Sequence, residues 1–186
     1  MKTLADARDW YFGTRRSLER LQRLGEKHWN HPSLVDASIW EDDRFRMLDA
    51  AVIAGDAEAS LKPIDDLAIL VLFSVFELQV RDYLIGLMRP HADKIADPIL
   101  KEAATDALRG VEEGSFYRRV LEPLKKQGRI SADLITQVDQ IRDYRNWVAH
   151  GRREAPTNRV IPRDAYDRLS EFLAVLGTLP PVWRRP

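Results

Sequence analysis

The sequence predicts an all-α protein of about six or seven helices forming a bundle. Three observations predict it. Apolar residues recur at helical spacing along nearly the whole chain, no stretch sustains the strict alternation of a half-buried strand, and proline, glycine and capping residues punctuate the periodic runs. With 186 residues, 45% of them hydrophobic, the chain carries enough apolar surface for a substantial core, most simply in one domain.

The elements follow in order. Ala7, Trp10, Tyr11, Thr14, Leu18, Leu21 and Leu24 share one side of a first helix over 4–29. It ends at NHPS, because Pro32 disfavours helix in the residue before it. A second helix over 41–54 turns Phe45, Leu48, Ala51 and Val52 inward, and GDAEAS at 55–60 is a connector. The helix over 64–88 is the most apolar: LAILVLFSVF at 67–76 is hydrophobic on every side, as in a helix surrounded by neighbours. Asp65 and Asp66 suit its N-terminal dipole, and Pro90 stops it. Asp97 then caps a helix with Pro98 in its first position, ending at Gly110. Ser115 caps a shorter helix through FYRRVLEPLKK, bent or interrupted near Pro123. Ser131 caps the next, with Leu134, Ile135, Val138, Ile141 and Val148 as its inner face. A last helix over 164–176 buries Ala165, Leu169, Phe172, Leu173 and Leu176. The expected organisation is an N-terminal helical extension packed on the core (1–60), a main helical domain (61–180) and a tail (181–186).

Charge and composition narrow the function. Twenty-nine basic residues balance 29 acidic ones, which argues against non-specific nucleic-acid binding over the whole surface but leaves local patches open. Arginine outnumbers lysine 22 to 7, and arginine is the better fork for phosphate. The absence of cysteine excludes disulfides and thiolate zinc sites and suits a reducing, cytoplasmic setting. The opening MKTLADARDWYF lacks the apolar region of a secretory signal, and the apolar run at 67–76 is shorter than the roughly 20 residues of a membrane span. HWNH places His28 and His31 three apart, with Asp36 nearby and His91 remote, but no third ligand stands at a convincing spacing. Neither a metal nor a cofactor is expected.

One stretch carries candidate chemistry: DYRNWVAHG, residues 143–151. Residues four apart share a helix face, so Asn146 can meet His150 and fix its tautomer, leaving one imidazole nitrogen for proton transfer. Arg145 and His150, five apart, point about 140° from each other around a straight helix. Gly151 suits the left-handed residue just past a helix end, which puts His150 in an exposed last turn. Arg142, Arg152 and Arg153 complete a compact basic cluster around this titratable group. Such a cluster suits a phosphodiester: arginines hold the phosphate and offset transition-state charge, while a histidine moves the proton. RNA supplies its own nucleophile, the 2′-hydroxyl, so no metal is required. The letters alone do not discriminate, since RLGEKH at 23–28 has the same arginine-to-histidine spacing with Gly25 weakening the helix and no asparagine partner. Basic residues followed by glycine are also ordinary design for a helix end.

The long apolar helix containing LVLFSVFELQVRDYL, followed by a later helix ending in RNWVAHG, resembles the HEPN superfamily over roughly 63–176. That family's signature is an arginine, often followed by a polar residue, then a histidine a few residues later, and Arg145, Asn146 and His150 stand at the matching positions. The resemblance implies a metal-independent endoribonuclease, such as a toxin with a cognate antitoxin protein or an antiviral effector. It implies a homodimer in which two motifs meet in one composite cleft. His150 is then the general acid–base group, Arg145 the phosphate contact and Asn146 the orienting residue, and the products carry a 2′,3′-cyclic phosphate and a 5′-hydroxyl. It equally allows a non-catalytic interaction module or a nucleotide-binding domain.

Four further residues deserve weighing beside the motif. Glu77, a carboxylate in the most apolar helix, either faces the cleft in a supporting role or pairs with Arg81 one turn on. Tyr144 and Trp147 flank Arg145, and each either stacks on an unpaired base or packs in the core or dimer seam.

Overall fold

The computed structural model describes residues 1–27, 29, 49–151 and 159–178. Among them are six α-helices, one π-helical turn and no strand, so the all-α class holds. The elements are α1 (Leu4–Lys27), α2 (Ala50–Ala92), α3 (Pro98–Glu113), the π turn Tyr117–Leu121, α4 (Glu122–Lys126), α5 (Ala132–Ala149) and α6 (Pro162–Thr178). None of the described helices is long and apolar enough to cross a membrane.

Two predicted boundaries are corrected, and the expected interruption near Pro123 is present. GDAEAS is no connector: α2 runs unbroken for 43 residues through Gly55 and Pro63, and through Pro90 in its last turn. Gly110 does not end α3, which continues to Glu113 and closes where the Gly114 N–H donates to the Gly110 carbonyl at 3.1 Å. The segment after Ser115 is divided between a π turn and a short α-helix. The Glu122 N–H reaches back to the Tyr117 carbonyl, and Pro123 falls in the first turn of α4, where a missing donor costs little. The predicted caps Asp97 and Ser131 are both present, accepting from the N–H groups of Leu100 at 3.0 Å and Leu134 at 3.2 Å. Most of the expected helix over 41–54, the NHPS stretch and the final tail lie outside the described residues.

The chain divides into two compact units. In Arg8–Ala68, Tyr11, Ile64 and Ala68 form a small apolar cluster with Trp10 and Leu61. Asp65, expected as a helix-start residue, instead accepts from the Tyr11 hydroxyl at 2.8 Å and from Arg15 Nη1 at 2.5 Å. Burial, followed by the bond to Asp65, pushes the Tyr11 phenol above its ordinary range. Gly25 of α1 is buried against the start of α2, where an added Cβ would stand 2.8 Å from the Ala54 nitrogen and 2.9 Å from the Ala50 carbonyl oxygen.

The other unit comprises Met1–Ala7 and the described residues from Ile69 onward. Phe73, Phe76, Phe116 and Phe172 meet at its centre, with edge-to-face pairs at centroid separations from 5.2 Å (Phe76–Phe172) to 5.8 Å (Phe73–Phe116 and Phe76–Phe116). Val80, Val120, Leu121, Ile135, Val138 and Leu169 close around them. Arg81 edges this core. It pairs with Glu77 at 2.5 Å, lies 5.5 Å from the Phe116 ring centre, and donates to the carbonyls of Val111, Glu112 and Gly114. One guanidinium therefore satisfies two of the carbonyls that the end of α3 leaves open, and that of the cap residue Gly114.

Candidate functional site

α5 positions the candidate site. Ser131 fixes its start, and Leu134, Ile135, Val138, Ile141 and Tyr144 bury one face along its length. Its last helical residue is Ala149, with His150 as the cap residue. The His150 N–H donates to the Asn146 carbonyl at 2.9 Å, and the Gly151 N–H donates to Val148 at 3.3 Å. Gly151 has φ +81°, the left-handed conformation glycine adopts at least cost, so the helix ends as its sequence requires. The His150 side chain is exposed.

Arg145 is half-buried, and its surroundings set it apart. Its guanidinium lies 5.8 Å from the Phe73 ring centre, and Nη1 donates to Asn146 Oδ1 at 3.0 Å. Its Nε is buried without a hydrogen-bond partner, and Arg145 has no carboxylate partner among the described residues. Asn146 was expected to hold the His150 imidazole. Its side-chain oxygen instead braces Arg145, and its recorded bond to His150 is through the backbone carbonyl. The cap residue itself lies off the helical dihedrals, with φ −94° and ψ 18°.

Arg142 is committed elsewhere. It donates to Asp143 Oδ1 at 2.7 Å, approaches Asp139 Oδ1 to 3.0 Å, and stacks 4.7 Å from the Tyr117 ring centre. The Asp139 contact is close in distance but lacks hydrogen-bond directionality, leaving that oxygen buried and without a hydrogen bond. Burial consequently raises the Asp139 pKa above its ordinary 3.8, outweighing the opposing pull of Arg142. Arg142 therefore joins the π turn to α5, and as an RNA contact it would first have to leave two carboxylates.

Tyr144 also differs from the base-stacking expectation. It is 5% exposed and belongs to the core, its ring 5.3 Å from that of the half-buried Trp147. Spaced three positions from Ile141, it falls on the inner face of α5, which leaves no open ring face for a base. Glu77 and Arg81 form the one-turn pair described above, with side chains 21% and 13% exposed, and the further partners of Arg81 are at the end of α3. Arg152, Arg153, His28, His31 and Asp36 lie outside the described residues. Among those described, no group of three histidines and carboxylates is placed to hold a metal.

α5 thus leads to an exposed imidazole and carries, five residues earlier, a braced guanidinium with no carboxylate partner among the described residues. Phe73 is the site residue that sequence reasoning missed. It comes from α2, more than seventy positions away, and nothing local to the motif signals it. No protein-family model, no curated protein and no solved structure matches the chain. The case for the site accordingly rests on its own chemistry and on the resemblance carried by Arg145, Asn146 and His150.

Proposed function

We propose that the protein is a metal-independent endoribonuclease of the HEPN type, acting in the cytoplasm as a homodimer with a composite site. The observation that carries the reading is that Arg145 has no carboxylate partner among the described residues. A half-buried guanidinium without a carboxylate bears a desolvation cost that folds ordinarily offset by pairing, as Arg81 and Arg142 are paired here. A phosphate oxyanion would supply the missing countercharge, and guanidinium suits it in charge and geometry.

In the reaction, the 2′-hydroxyl oxygen attacks the adjacent phosphorus while the bond to the 5′-oxygen breaks. The imidazole of His150 takes the proton from the nucleophile, and protonated imidazole returns one to the leaving oxygen. The products are a 2′,3′-cyclic phosphate and a 5′-hydroxyl end. Arg145 binds the phosphate and offsets its growing charge, with Asn146 and Phe73 fixing the guanidinium.

A second reading is favoured by one observation: Arg145 packs on Phe73 at the edge of the aromatic core, so the motif can serve as a helix-end brace in a non-catalytic interaction module. Cleavage in EDTA separates the two. Wild type should cut single-stranded or looped RNA to cyclic-phosphate ends, His150→Ala and Arg145→Ala should lose about 100-fold or more, and only the wild type should be toxic when overexpressed. Intact RNA after incubation with folded, dimeric wild type would favour the interaction module.

A further inference from the structure

The segment between α3 and α5 concentrates positive charge that the chain as a whole does not have. Arg118, Arg119, Lys125, Lys126 and Arg129 stand there against the single carboxylate of Glu122, in a protein of zero formal net charge. Phe116, Val120 and Leu121 turn into the core, so the exposed Arg118, Arg119, Lys125 and Lys126 take the solvent side. Glu122 is occupied by Lys126 at 2.9 Å. Arg118, Arg119 and Lys125 make no ion pair among the described residues. By contrast, the half-buried Arg8 and the exposed Lys62 and Arg168 each have a carboxylate within 3.2 Å.

We infer that the π turn and α4 form a polyanion-binding strip in which Arg118, Arg119 and Lys125 contact consecutive phosphates of a single-stranded RNA. Three features favour a backbone contact over a compact ligand. The cations follow one another along an element instead of converging on a cavity. They are exposed and, among the described residues, form no close ion pair, Lys125 acting on Asp139 only at longer range, so a phosphate chain can approach them without breaking internal bonds. The strip is also attached to the helix bearing the candidate site, through the Arg142 guanidinium stacked on Tyr117. Along α5, His150 lies eight residues beyond Arg142, roughly 12 Å of helix rise. A strand lying on the strip therefore has a short path to that site. The inference rests on the ribonuclease reading only for the identity of the polymer, since the charge pattern itself calls for a phosphate chain.

The test uses full-length His150→Ala protein and a fluorescent single-stranded RNA, with binding followed by anisotropy over a range of salt concentrations. Adding Arg118→Gln, Arg119→Gln and Lys125→Gln together should weaken binding about tenfold or more and reduce the salt slope by about 2, from about 0.7 per lost phosphate contact. Removing the same charge from paired cations, as Arg8→Gln, Lys62→Gln and Arg168→Gln, should change little. Because the Arg119 stem lies against Gly110 and Gly114, the Arg118→Gln, Lys125→Gln pair provides a second variant, with folding checked by thermal unfolding. Equal binding by the strip variants and their parent would overturn the inference, as would binding that responds equally to the control set. Preference for anionic vesicles or an acidic peptide over RNA would overturn the choice of polymer. Cleavage by wild type is scored separately. Strip-dependent RNA binding without cleavage defeats the ribonuclease reading alone, and cleavage that strip substitutions leave unchanged, with binding also unchanged, defeats the strip alone.

Discussion

Three arginines at the edge of one core show how partners decide the use of a charge. Arg81 is held by Glu77 and main-chain carbonyls, Arg142 by Asp139, Asp143 and a tyrosine ring, and Arg145 by an asparagine and a phenylalanine ring with no carboxylate among the described residues. The first two have their countercharge inside the fold, and under the proposed function a phosphate would supply it to the third. Asp139 gives this residue-level account a pH test. Its pKa is raised by burial, so the native state holds its proton more firmly than the unfolded chain does. Stability from this group is therefore complete below the unfolded value near 3.8 and declines as pH rises through the higher folded value. Asp139→Asn should melt at or above the wild-type temperature at pH 7, with the difference shrinking towards pH 3. A variant that melts well below wild type at pH 7 would show that the ion contact with Arg142 outweighs the burial.

At the scale of elements, most of the fold was legible in local chemistry. Asp97 and Ser131 cap the helices they were predicted to start, and Gly151 adopts the left-handed conformation predicted for it. The misread boundaries share a cause, since tertiary contacts overrode local punctuation. Gly55 and Pro63 disfavour helix locally, yet α2 continues because Ala57, Ile64 and Ala68 are buried and Asp65 is held by Tyr11 and Arg15 from α1. Gly110 looked like a stop, but the end of α3 is fixed by Gly114 and by Arg81, thirty residues upstream of the first carbonyl it binds. Within the site, the His150 cap was legible, whereas the Arg145 cradle was not, because Phe73 belongs to another helix. The Arg81 clamp should be measurable. Arg81→Met should cost about 2–3 kcal/mol by leaving carbonyls and Glu77 without their charged donor, lowering the melting temperature by roughly 5–10 °C. Arg81→Lys should recover only part of this, because an ammonium cannot reproduce the fork. Glu77→Gln should be milder, since the carbonyl bonds remain. Equal losses in Glu77→Gln and Arg81→Met would place the stabilisation in the ion pair and not in the clamp.

For the molecule as a whole, the proposed chemistry turns on which chain supplies which group. On a straight helix residues five apart, as Arg145 and His150 are, would point about 140° apart, and the structure has Arg145 against the Phe73 ring and His150 in solvent. A composite site relieves this divergence if a two-fold dimer joins Arg145 of one chain to His150 of the other. Mixing the two inactive variants then has a defined outcome. Each Arg145→Ala chain retains His150, and each His150→Ala chain retains Arg145, so a mixed dimer contains one intact site and one doubly defective site. With random exchange, about half of the dimers are mixed, and cleavage should return to about one quarter of the wild-type rate. If both groups act within one chain, no mixture can contain an intact pair and activity should stay at the level of the separate variants. Subunit exchange has to be verified, for instance by energy transfer between labelled chains, because variants that never mix would give the same silence. Recovery near one quarter after verified exchange would assign the two groups to opposite chains; verified exchange without recovery would confine catalysis to one chain and remove the geometric reason for a composite cleft.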